Sequence, residues 1–212
     1  MKKLYISAAL VLLSMNLFSQ NVYLLMHDFR QKHDLRKRYA AIEKLSKMKN
    51  MEIFKEFMIY LIGNRRNNPE PESQLVGIRA EIAKNLKYYA GVPYDQIKTD
   101  ISHLMTSMAF SLDFDTNGYL VLSIATILNN NGPESQKVYF VNRLREVLLT
   151  VRKKTEANQE FRARENEFVK YAIQALATMK HKKSLELLLM MLELRYANYL
   201  EAQIKAAVKT YN

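Results

Sequence analysis

At 212 residues with 49% apolar side chains, the chain is long enough to bury a sizeable core in one domain, which excludes general disorder. Five Gly and four Pro beside plentiful Leu, Met, Ala, Lys and Glu exclude a turn-rich β protein, and the complete absence of Cys excludes disulfides, Cys-ligated metal and a lipid-modified cysteine. The net charge of +11 points to an anionic counterpart whose nature depends on the compartment.

The first nineteen residues have the layout of a secretory signal peptide. Lys2 and Lys3 supply a positive start, Leu4 to Leu13 form an apolar run broken only by Ser7, and Ser14, Asn16, Ser19 and Gln20 come next. The run is short for a membrane span, which needs about 20 residues. The expected division is therefore a signal peptide over 1–19 and a helical domain over 20–212, with export to the periplasm or beyond. A retained anchor and an ordinary first helix are the alternatives, and Leu17 departs from the small residue preferred three positions before the cut. Removing the segment leaves 30 Lys and Arg against 21 Asp and Glu, a net +9.

Helices are predicted almost throughout the rest of the chain. Val22, Leu25, Met26 and Phe29 share a face over Val22 to His33. Asp34 is placed to cap a helix running to Lys47, with Leu35, Tyr39, Ile42 and Leu45 as its stripe. Asn50 opens a third helix, carried by Ile53, Phe57, Tyr60 and Leu61 and stopped by Gly63 and Asn64. Asn67 to Ser73, with Pro69 and Pro71, reads as the clearest loop. Helices are then expected over Gln74 to Tyr89, Tyr94 to Leu112 and Tyr119 to Leu128, separated by Gly91 with Pro93 and by a turn from Asp113 to Gly118. The run Asn129 to Gly132 closes the last of these, and Pro133 opens a long helix on Val141, Leu144, Leu148 and Val151. Arg152 to Glu167 reads as a solvated extension or a loop. Helices over Glu167 to Met179 and Ser184 to Leu194 and a segment from Tyr196 to Tyr211 complete the chain.

The helices repeat in pairs. Arg38 to Leu45 and Arg79 to Leu86 both place Arg seven residues before Leu, 41 residues apart. A third apolar helix ends at Leu128, a fourth carries Ala172, Ala175 and Leu176, and a fifth carries Ala202, Ile204, Ala206, Ala207 and Val208. A period near 40 with two helices per unit resembles HEAT or armadillo-type repeats over residues 34 to 212. The usual Pro early in the first helix and Asp in the turn are mostly missing, which leaves a non-repetitive bundle as the other architecture. The resemblance implies an all-α fold of stacked antiparallel helix pairs, a short α-solenoid, acting as a scaffold or adaptor along one curved face. It implies no reaction.

Chemistry-bearing patterns are few. Asp113, Asp115, Asn117 and Gly118 match the start of a calcium loop, but its twelfth position falls on Ile124, where a bidentate carboxylate belongs, so a plain turn is expected. His27 and His33 are six apart, off the spacing that puts two ligands on one helix face. Glu70 with Glu72 and Glu165 with Glu167 lie in charged, solvent-facing stretches. No nucleophile elbow, phosphate-binding Gly-rich loop or dinucleotide fingerprint occurs, so no catalytic or cofactor residues are assigned. Binding is instead expected through basic residues near the hairpin turns: Arg143, Arg145, Arg152, Lys153, Lys154, Lys182 and Lys183. Lys180 to Lys183 are placed in a turn, and tyrosines such as Tyr88, Tyr89, Tyr94, Tyr196 and Tyr199 could flank the charges. The expected partner is an acidic protein, with an anionic envelope surface as a further counterpart. The alternative is a nucleic-acid-binding repeat protein with a basic concave face, a reading that the signal-like start opposes.

Overall fold

The computed structural model describes residues 20–31, 33–62, 72–107 and 114–211. Every regular element among them is helical. The order is α1 (20–30), α2 (Leu35–Lys47), α3 (Met51–Ile62), α4 (Glu72–Asn85) with a 3₁₀ turn at Leu86–Gly91, α5 (Tyr94–Ser107) and α6 (Phe114–Asn131). Then come α7 (Glu134–Ala157), a 3₁₀ turn at Gln159–Phe161, α8 (Arg162–Met179), α9 (Lys182–Glu193) and α10 (Asn198–Lys209). The expected signal segment 1–19, the stop at Gly63 and Asn64, residues 67–71 of the loop expected over Asn67 to Ser73, and Asp113 lie outside the described residues, while Glu72 and Ser73 of that loop belong to α4. No helix among the described residues is long and apolar enough to cross a membrane.

Local chemistry sets several helix starts. The Asp34 carboxylate accepts from the Lys37 N–H at 3.1 Å, and the Asn50 side chain accepts from the N–H of Glu52 at 2.8 Å and of Ile53 at 3.3 Å. Each satisfies donors that a first helical turn leaves unpaired. Pro133 precedes α7 in extended conformation, and the His181 Nδ1 accepts from the Lys183 N–H at 3.0 Å to cap α9. Glycine does not end α2, α8 or α9. Lys49, Lys180 and Arg195 take the left-handed conformation there, with φ of 54°, 46° and 51°. Such positions carry a steric cost that glycine would avoid.

Packing alternates. α2 lies on α4, α4 on α6, α6 on α8 and α8 on α10; α3 lies on α5, α5 on α7 and α7 on α9. From α2 onward, helices adjacent in the chain also touch, except α4 and α5, which the 3₁₀ turn separates, and one continuous apolar core runs from Leu25 to Ala207. Each fully buried Leu, Ile or Phe in it contributes about 1.5–3 kcal/mol.

Several sequence expectations are corrected. Residues 114–118 are not a turn. They are the first turns of α6, with Thr116 and Gly118 buried. Backbone in helical conformation cannot wrap its carbonyls and side chains around a calcium ion, so a calcium loop does not fit there. Asn129 to Asn131 remain helical, because the Asn131 amide donates to the carbonyls of Ala90 at 2.6 Å and Val92 at 3.1 Å, which holds the end of α6 on the 3₁₀ turn. The helix expected to continue to Tyr89 tightens at Leu86, next to Asn85, whose amide donates to the Glu81 carbonyl at 2.8 Å. Arg152 to Glu167 is neither a loop nor wholly solvated. α7 continues to Ala157 with Thr155 buried, Asn158 breaks the chain, and α8 begins at Arg162 with Glu165 buried. Lys182 and Lys183 lie in the first turn of α9, and the hairpin turn itself is Lys180 and His181.

Candidate interaction surface

The basic residues predicted to bind divide into two groups. Arg143 and Arg152 turn inward, each with 15% of its side chain exposed. Arg143 donates from Nε to the Met105 carbonyl at 3.3 Å and from Nη2 to the Thr106 carbonyl at 2.9 Å, completing the C-terminal end of α5, while Nη1 meets Glu146 at 2.6 Å. Arg152 donates to the Leu194 carbonyl at 2.7 Å, pairs with Glu165 at 3.4 Å and Glu156 at 3.3 Å, and sits 5.3 Å from the Tyr196 ring centre. Both are structural clasps. The outward group is Arg145, Lys153, Lys154, Lys182 and Lys183. Arg145 and Lys183 share a groove of about 180 Å³ between α7 and α9, where Lys183 pairs with Glu186 at 2.7 Å. That hydrogen bond, and then the charges of Lys183, Lys182 and His181, hold the Glu186 carboxyl below the usual range.

The repeated arginines have the same inward use. Arg38 is fully buried and donates from Nε to the Phe29 carbonyl at 2.9 Å; Arg79 is nearly so and donates from Nε to the Tyr60 carbonyl at 3.0 Å. Phe29 lies near the end of α1 and Tyr60 near the end of α3, so each guanidinium satisfies a carbonyl that its own helix leaves open.

The larger excess of positive charge lies outside the predicted cluster. α3, α5, α7 and α9 carry ten Lys and Arg against nine Asp and Glu, whereas α2, α4, α6, α8 and α10 carry twelve against seven. Beside Lys37, the exposed lysines of α2, α4 and the 3₁₀ turn after α4 come as Lys44 with Lys47 and Lys84 with Lys87. Lys47 and Lys87 stand 5.5 and 5.6 Å from the centre of the Tyr88 ring. Glu43 accepts from Lys47 at 2.7 Å, and this bond, then the charges of Lys47, Lys84 and Lys87, lower its carboxyl from the ordinary value. On α8, Lys170 pairs with Glu167 at 2.5 Å, which raises the ammonium, and stands 5.7 Å from the centre of the Tyr199 ring on α10. Tyr119 and Tyr171 pack together at 5.1 Å between α6 and α8. The lysine pairs were legible: Lys-x-x-Lys recurs 40 residues apart across the ends of the two compared segments, at 44–47 and 84–87.

Other features carry less chemistry. Among the described residues no three His, Asp or Glu side chains converge on a possible metal position. His27 faces Asp28 at 4.0 Å and Gln31 at 3.0 Å. Glu165 is not a solvent-facing acid, since its side chain is 1% exposed and answers Arg152. A groove of about 490 Å³ between α1 and α3 is lined by Val22, Tyr23, Met26 and Ile53, with the two-pronged Arg30–Glu56 pair (3.0 and 2.8 Å) at its wall. No protein-family model, curated protein or solved structure matches this chain.

Proposed function

We propose that the chain is an exported, HEAT-like helical scaffold that docks an acidic protein partner on a basic, tyrosine-bearing face. The observation that carries this reading is the alternation of packing, in which every helix from α2 to α8 lies on the next but one. A stack of helical hairpins needs that arrangement, because each hairpin covers only part of its apolar surface and the neighbouring hairpin covers the rest. Hydrogen bonds between rungs support it. Tyr89 to Asn50, Ser123 to Ala83, Asn131 to Ala90 and Arg143 to Met105 join residues 39, 40, 41 and 38 positions apart. These separations agree with the 41-residue offset between Arg38 and Arg79. The signal-like composition of residues 1–19 supports export, and export makes an envelope protein the natural counter-charge. In this reading the chain binds its partner and does not transform it.

The test is fractionation with N-terminal sequencing, then crosslinked capture from the cell envelope. The expected product begins at Gln20, sits in the envelope fraction and retains a defined acidic protein. A full-length cytoplasmic product, or an envelope product that retains nothing specific, overturns the reading. The concentration of cations on the even-numbered helices favours one second reading, a nucleic-acid binder. A cytoplasmic product that binds DNA in preference to protein would establish it.

A further inference from the structure

We infer that the docking surface is the outer face of the even-numbered helices and of the 3₁₀ turn after α4, centred on the Lys47–Tyr88–Lys87 cluster, and that its occupant is an extended acidic polypeptide segment of the partner. The inference rests on the scaffold reading and adds a location and a ligand chemistry to it. Charge complementarity supplies the first argument. The odd-numbered helices nearly balance their cations, so a polyanion gains little there, while the even-numbered ones carry the excess. The carboxylates in the cluster are already taken, Glu43 by Lys47 at 2.7 Å and Glu81 by Lys84 at 3.5 Å, and each ammonium has three N–H donors, which leaves capacity for incoming carboxylates.

The aromatic geometry narrows the occupant. A single-stranded nucleic acid binds such a face by stacking bases on free ring faces. Here Lys47 and Lys87 lie over Tyr88, Lys170 lies over Tyr199, and Tyr119 packs on Tyr171, so the rings are already engaged. An anionic bilayer would need exposed aliphatic anchors beside the cations. Among the described residues those anchors, Leu24, Ile59 and Leu189, lie on α1, α3 and α9. What the even face offers is two sets of ammonium groups on compact tyrosine supports, Lys47 with Lys87 and Lys170, on either side of the cation-free α6, which suits an extended chain of spaced carboxylates. Five helices spaced about 8–10 Å apart span roughly 35–40 Å, matched by about 12 extended residues.

The test uses the chain from Gln20 onward and a fluorescein-labelled peptide of about 12 residues in which Glu alternates with Ser, read by anisotropy. Binding should weaken as salt rises. Lys47→Glu, Lys84→Glu and Lys87→Glu together should weaken it by about tenfold or more, and the neutral Lys→Gln set by less. Arg145→Glu, Lys153→Glu and Lys154→Glu together should leave it within about threefold. The substituted side chains are solvent-exposed, and a melting curve for each variant separates lost binding from lost folding. Equal loss in both sets overturns the location, and no binding of the peptide overturns the occupant. Tighter, Lys47/Lys84/Lys87-dependent binding of a single-stranded oligonucleotide, or of vesicles containing anionic lipid, also overturns the occupant. None of these results touches the scaffold reading, which fails separately if envelope capture by the unaltered chain retains nothing.

Discussion

Gly77 on α4 and Gly118 on α6 are 41 residues apart, and each meets a tyrosine of a neighbouring even-numbered helix. The two contacts differ in kind. A Cβ at Gly77 would meet only the hydroxyl tip of half-buried Tyr39, which can swing aside, whereas a Cβ at Gly118 would overlap the ring carbons of Tyr171 where that ring packs on Tyr119. Gly77→Ala should therefore be neutral or stabilising by up to about 1 kcal/mol, the ordinary helical gain over glycine. Gly118→Ala should lose about 1–3 kcal/mol through overpacking. Urea unfolding midpoints of the two variants check the contrast, and equal effects would contradict the close approach of α6 and α8. Tyr196 gives a second expectation at this scale. Its hydroxyl is buried without a hydrogen-bond partner among the described residues, and burial, then the Glu165 charge, push the phenol up while Arg152 pulls it down. A folded phenol raised above its unfolded value leaves stability intact below about pH 10 and erodes it as pH rises further. Tyr196→Phe should change little at neutral pH and move alkaline unfolding, monitored by circular dichroism, to higher pH. Tyr89→Phe should cost about 1 kcal/mol at neutral pH, because its hydroxyl also donates to the Asn50 carbonyl at 3.3 Å.

Between elements, the strongest polar tie among the described residues is Arg152. It holds α7 to α8 through Glu165, and to the link between α9 and α10 through the Leu194 carbonyl and the Tyr196 ring. Removing one partner of a buried pair strands the other charge. Arg152→Ala should cost about 3–5 kcal/mol, while Arg152→Met with Glu165→Leu should recover most of that loss. Chemical denaturation of the single and double variants decides the matter, and additive losses would show that the two residues act independently. The stretch from 152 to 167 was unreadable as structure for the same reason. Its composition is that of a solvated run, and the pairing that makes Glu165 an interior residue is visible only once α7 and α8 lie side by side.

For the molecule as a whole, α6 occupies the middle of the packing, touching α4, α5, α7 and α8, whereas α1 leaves Tyr23 and Leu24 largely exposed, at 73% and 61%. In a structure whose units contact mainly their neighbours, local stability tracks the number of covered sides. Amide hydrogen exchange should therefore be slowest in α6 and α8 and fastest in α1 and α10. Uniform protection from end to end would mean that the helices unfold as one unit instead.

Helix class, several helix starts and the apolar stripes are properties of the amino-acid sequence by itself. Asp34, Asn50 and Pro133 act within three or four residues of where they stand, and periodicity is a property of the same short window. The surface was not legible in the same way. Of the seven basic residues expected to bind, Arg143 and Arg152 are clasps, and the lysines at 44–47 and 84–87 come together only when α2 packs on α4. The close seat of Gly118 on Tyr171 likewise exists only where α6 lies on α8. A cap is settled by a neighbour three residues away. The fate of a charge is settled by partners that, for Arg152, stand 13 and 42 residues away and meet it only in the folded chain.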